Sequence, residues 1–136
     1  MRFCLCLLAV AGCLSAADLN SSQTLRGKLS VRAGQPATLA TPDHKIVTLD
    51  GDDTTQKVLA DVRLNGFEVE AHGHFTAAAR FLIDASHHHS LLVRRDGKLK
   101  LITYWCDVCS VRAYTPGPCV CCQGETTLDF LDPDAK

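Results

Sequence analysis

Cysteine is missing from residues 14 to 103 of this 136-residue chain, and five cysteines then fall between positions 106 and 122. No bridge can form inside the long cysteine-free stretch, so an apolar core must hold it. Long hydrophobic runs are also scarce. The one near-continuous run, residues 3 to 14, is shorter than the roughly 20 apolar residues a bilayer span needs, which excludes an integral helical membrane protein. Excess charge of one sign is lacking as well, with 14 basic against 15 acidic residues, and this argues against nucleic acid as a partner. There is no internal repeat, and no low-complexity tract beyond His87-His88-His89. Neither a Ser-His-Asp order, a phosphate-binding loop nor a paired-carboxylate pocket can be defended. Glu68 and Glu70 read as a solvated pair without the second group that acid-base chemistry requires. A binding protein is therefore expected rather than an enzyme.

What is present begins with Arg2, the apolar run and the small residues Ser15, Ala16 and Ala17, the pattern of a secretory signal peptide over residues 1–17. Export to a periplasm or to the outside follows. Val10-Ala11-Gly12-Cys13 also resembles a bacterial lipobox, in which case Cys13 carries a lipid and membrane attachment results; a retained anchor is the third alternative. Cleavage at either place discards Cys4 and Cys6. With Arg2 gone, thirteen basic residues face fifteen acidic ones, a net charge of −2 on the mature chain. Five cysteines remain after Ala17, and an odd number cannot all pair as disulfides.

Residues 18–86 read as one mainly β domain. Strand-like alternation runs from Thr24 to Arg32, then over 37–41 and 45–49, with breaks at Gly34-Gln35-Pro36, Pro42-Asp43 and Asp50-Gly51. From Asp52 to Leu64 the spacing of Val58, Leu59 and Val62 predicts a helix, with acids at its start and Asn65-Gly66 after its end. Phe67 to Phe75 alternates again, placing Phe67, Val69, Ala71 and Phe75 on one face and Glu68, Glu70, His72 and His74 on the other; residues 80–84 supply a fifth strand. Three strands, a helix and two strands resemble the OB-fold, a small five-stranded barrel. That resemblance implies the architecture and leaves the ligand open.

Residues 87–127 read as a second module packed on the barrel, followed by a tail at 128–136. Asp96-Gly97 between two strand-like runs signals a type I′ hairpin. Facing Arg95 with Lys98 sets a register in which Leu91 meets Ile102, His89 meets Tyr104 and His87 meets Cys106. His87 and His89 thereby become candidate supplementary ligands to the cysteine cluster.

The cluster itself is Cys106-x2-Cys109-x9-Cys119-x2-Cys122, with Cys121 inside the second pair. Two such pairs let four thiolates converge on one tetrahedral ion, zinc by preference, with iron or copper as competitors. The arrangement resembles the knuckle pair of zinc ribbons and rubredoxins, although Ser110 and Gln123 stand where a glycine usually follows each knuckle and Gly124 comes one residue late. Cys121 is a further possible ligand. Two other readings stand beside the metal. Disulfides would staple the tail, making the protein a module for a protein partner. Alternatively, Trp105-Cys106-Asp107-Val108-Cys109 resembles the active-site motif of thioredoxin-like oxidoreductases, with Cys106 attacking and Cys109 resolving, on a chain too short after the motif for that fold. Tyr104, Trp105 and Tyr114 flank the thiols as core or shield, and His72 and His74 read as polar-face residues of a solvated strand.

Overall fold

A computed structural model describes residues 21–135; the leader, Cys4, Cys6, Cys13 and any lipidation lie outside the described residues. No helix among the described residues is long and apolar enough to cross a membrane.

Five strands close into a barrel. β1 (Gln23–Ser30) pairs antiparallel with β2 (Thr38–Ala40), and β2 with β3 (Ile46–Asp50). Closure needs two later strands: β5 (Arg80–Ile83) runs parallel to β3 and antiparallel to β4 (Glu68–Ala77), which returns to β1. This is the OB-like barrel expected from the element order. Its inward positions are Leu29, Leu39, Val47, Leu49, Val69, Ala71, Phe81 and Ile83, each at most 3% exposed. Burying each of the larger side chains contributes about 1.5–3 kcal/mol against leaving it in water. Phe75 lies edge-on to Phe81 with ring centres 5.1 Å apart. Gly73 is the residue at which β4 leaves Gln23 of β1 and takes up Ile83 of β5. A β-carbon there would lie 2.0 Å from the Leu82 carbonyl oxygen, so the strand crossing admits only glycine.

The helix is shorter than its spacing predicts. α1 (Asp53–Leu59) is capped by Asp52, whose carboxylate accepts from the Thr55 backbone N–H at 2.8 Å and from both the Thr54 and Thr55 hydroxyls. It ends because Asp61 offers its own carboxylate to the Arg63 N–H at 3.0 Å and starts a separate 3-10 turn, Val62–Leu64. Val62 is consequently exposed, and Leu64 is the residue that enters the core.

Glu70 also departs from its expected place. It is buried rather than solvated, because further strands cover that stretch of β4; its carboxylate holds Arg26 at 2.7 Å, His72 at 3.2 Å and Arg94 at 3.4 Å. Only Glu68 remains exposed.

The covering strands are the Asp-Gly hairpin. β6 (Leu91–Arg95) pairs with residues 69–71 of β4 and with β7 (Lys98–Cys106), Arg95 facing Lys98 as expected. Asp96 and Gly97 both have positive φ, 50° and 74°, as the primed turn demands. The register does not reach the histidines. His87–Ser90 form a single helical turn, α2, so the pairing of His87 with Cys106 and of His89 with Tyr104 does not occur. Beyond the hairpin, β8 (Val111–Ala113) and β9 (Thr127–Leu131) both pair with β7. Leu101 faces both Leu92 and Leu131, and Tyr104 faces both Ala113 and Leu128. β9 therefore occupies one edge of β7, and β6 and β8 share the other. Leu91, Val93, Ile102 and Tyr104 join the barrel residues in one continuous core.

Candidate metal centre

β7 delivers the first of the four clustered cysteines. Cys106 is its last residue, 2% exposed, and faces Val111 of β8, so residues 107–110 form a tight loop at the hairpin end. The second pair sits in a loop closed on itself, with the Cys119 N–H donating to the Gly124 carbonyl at 2.8 Å and the Gln123 N–H to the Cys119 carbonyl at 2.9 Å. Both ends of that loop are tied down. The Thr126 hydroxyl donates to the Gly117 carbonyl at 2.8 Å, and Arg63 reaches from beyond α1 to the Thr126 carbonyl at 3.1 Å while holding Asp61 with a two-pronged ion pair. At the other side, the His87 ring Nε2 meets the Tyr114 carbonyl at 2.6 Å.

The result is a cage. The sulfurs of Cys106, Cys109, Cys119 and Cys122 all lie within 4.8 Å of one another, and those of Cys106 and Cys122 are 3.5 Å apart. A tetrahedral zinc with bonds of about 2.3 Å would space its four sulfurs about 3.8 Å apart, so this set needs only small shifts to enclose such an ion. All five described cysteines are free.

The two knuckles repeat one another in backbone detail. Cys106 sulfur attracts the N–H groups of Val108 and Cys109, and Cys119 sulfur those of Cys121 and Cys122. The Cys121 N–H lies 3.4 Å from the Cys119 sulfur, and the Gly124 N–H 3.4 Å from that of Cys122. Ser110 and Gln123 have φ of 52° and 59°. The two residues that replace glycine in the sequence thus adopt the left-handed backbone that glycine would take, and the knuckle turn survives the substitution.

The thiols differ in acidity for stated reasons. The N–H groups of Cys122 and Cys121 draw Cys119 down to about 7 against the effect of burial. The Cys109 N–H favours the Cys106 thiolate, but burial and the thiols of Cys122 and Cys119 outweigh it and leave Cys106 above its ordinary range. Cys109 is pushed well up, first by the Cys121 thiol and then by burial. Cys119 is thus the sulfur most readily ionised, and a bound cation would displace the protons of its neighbours.

The other residues singled out in the sequence serve different ends. His87 anchors the Tyr114 loop, with its Nδ1 buried and unpartnered, while His89 is exposed and stacks near His88 with ring centres 4.1 Å apart. The group of mutually close ligand atoms consists of the four cysteines, without a histidine. Tyr104 is wholly buried beneath the Arg63 guanidinium, Trp105 is half-buried under Arg112, and Tyr114 is exposed beside His88. Cys121 is exposed and stands outside the set of four. The anchoring by Arg63 and Thr126 has no motif to announce it, since the guanidinium and the carbonyl are 63 residues apart.

Compared with family models, with curated proteins and with solved structures, the chain matches none.

Proposed function

We propose that this is an exported binding protein built around a four-thiolate metal centre, with zinc as the ion of choice and iron or copper as the alternatives. The observation that carries the reading is the convergence of Cys106, Cys109, Cys119 and Cys122 within 4.8 Å, on two knuckles with matching left-handed residues. Four sulfur ligands and no open position suit a structural or carried ion better than a catalytic one. The OB-like barrel is its support and offers a surface for a protein partner. Export rests on the leader motif at residues 1–17, and attachment through Cys13 would make the same protein a lipoprotein.

The thiol-disulfide alternative is less well supported. It requires Cys106 to attack, yet Cys106 is buried and its thiol is held above the ordinary range. The disulfide-staple alternative needs sulfurs about 2 Å apart.

The test is to express the full chain with its leader into an oxidising compartment, purify the exported product without chelator, and measure its mass, metal content and free thiols after unfolding. About one zinc per chain with five reactive thiols is expected. No metal and a single free thiol would make the cluster a pair of disulfides and sink the reading.

A further inference from the structure

Within the cage the four sulfurs are not equivalent. Each knuckle has a deep first cysteine and an outer second one: Cys106 and Cys119 are 2% and 3% exposed, whereas Cys109 is half-buried and Cys122 exposed. The deep pair is also the held pair, each sulfur facing two backbone N–H groups of its own knuckle. Gly124, close to Cys122, has no side chain to cover the outer sulfur, where a β-carbon would lie 3.3 Å away. The knuckle tips are bare as well, with Val108 83% and Val120 82% exposed. An ion held by these four sulfurs would be walled by backbone on one side and by two solvent-reachable sulfurs on the other.

We propose that the ion is carried, and that it enters and leaves through the Cys109–Cys122 face by exchange with an acceptor bearing thiols. This deepens the metal reading above and rests on it. Zinc admits a fifth ligand transiently, so an acceptor sulfur that reaches the open face need not wait for the ion to come free. In each exchange the acceptor thiol gives up its proton, its sulfur bonds to zinc, the bond to Cys122 or Cys109 breaks, and that cysteine takes a proton up. No electron moves. The deep sulfurs of Cys106 and Cys119 let go last, and after four exchanges zinc carries four acceptor sulfurs while the chain holds four thiols. An ion serving only the fold would sit in an enclosed site that gives up its metal solely by opening.

The experiment uses the exported full-chain product loaded with zinc, whose content is read first. About one zinc per chain keeps the metal reading, and none overturns it together with the exchange face. Dimercaptosuccinate, a small dithiol, is then added over a range of concentrations and zinc transfer is followed. Tenfold more dithiol should give roughly tenfold faster transfer, as exchange through a fifth ligand requires. A rate indifferent to dithiol concentration would mean that the site must open first, which would overturn the proposal and leave the metal centre standing. The face is located with limiting N-ethylmaleimide on the zinc-loaded chain, the alkylated positions being read by peptide mass and exposed Cys121 serving as the reference for an open thiol. Zinc loss should accompany label on Cys122 and Cys109 while Cys106 and Cys119 are still unlabelled. Label reaching the deep pair as soon as the outer pair would overturn the assignment of the face.

Discussion

The barrel and the knuckle segment are stabilised in opposite ways. The barrel strands carry their own apolar core, and the hairpin extends it through Leu91, Val93, Ile102 and Tyr104. Between residues 107 and 126 only Cys119 is buried, and three residues there, Ser110, Gly117 and Gln123, have positive φ. A segment with so little to bury cannot offset its chain entropy by hydrophobic contact. Its centre consists of sulfurs, and it is an ion that would turn those sulfurs into a core. One chain thus joins a region that the hydrophobic effect folds with a region that coordination would fold, and Arg63, His87 and the pairing of β8 with β7 tie the two together.

The largest effect separating the two is expected on the barrel side. Phe81 is fully buried and packs edge-on to Phe75. Phe81→Ala should cost about 3–5 kcal/mol in chemical unfolding. The fraction still folded should nonetheless hold the same metal per chain, because the core cluster that contains Phe81 includes none of the cysteines. Loss of metal from folded protein would show that the two regions cannot be separated.

The same division explains what could be read from the sequence. Alternation and breaks located all five barrel strands to within two or three residues, since each has one face in the core and a turn at its end. The Asp96-Gly97 turn fixed the hairpin register because two positive φ angles are rare and local. Local rules failed where a side chain competed with the backbone. Asp61 broke the helix at a point where spacing alone favoured continuing to Val62, and the three histidines folded into a turn where the register would have extended a strand. β8 and β9 were invisible for a different reason. They are short, half-exposed and stabilised by pairing with β7, as in the Arg112 bonds to Thr103 and Asp129, which are contacts 9 and 17 residues apart. For the site, the convergence of the four cysteines was legible in their spacing; the fit of Ser110 and Gln123 into glycine geometry was not, because nothing in their identity announces a left-handed backbone.

A smaller effect is expected at acid pH. Asp52 is drawn from 3.8 to about 2, first by the Thr55 N–H and then by the Thr55 and Thr54 hydroxyls. Because the folded state lowers this acid, the stabilisation it brings is complete above its unfolded value and lost as pH falls through about 2. Asp52→Asn should flatten that arm of the melting temperature against pH. By then the thiolates are protonated and any ion has gone, so the experiment reads the barrel alone. An unchanged acid arm would mean that other carboxylates govern it.

The smallest effect lies in the knuckles and tests them most directly. Ser110 and Gln123 hold left-handed φ, which costs an ordinary residue about 1–2 kcal/mol, while glycine loses about 0.4–1 kcal/mol of that advantage to its freer unfolded chain. Ser110→Gly and Gln123→Gly should each gain up to about 1 kcal/mol, seen as roughly fivefold tighter zinc in competition with a chelator because segment order and binding are linked. Ser110→Val and Gln123→Val should move affinity the other way, as a β-branched side chain tolerates positive φ least. None of the four should shift barrel unfolding. If the glycine and valine variants bind alike, the knuckle turns form only around the ion with a different backbone, and the strain resides in the metal-free chain alone. If they diverge as expected, the two turns are already shaped for an ion, and the free energy of metal binding goes into gathering sulfurs rather than bending the chain.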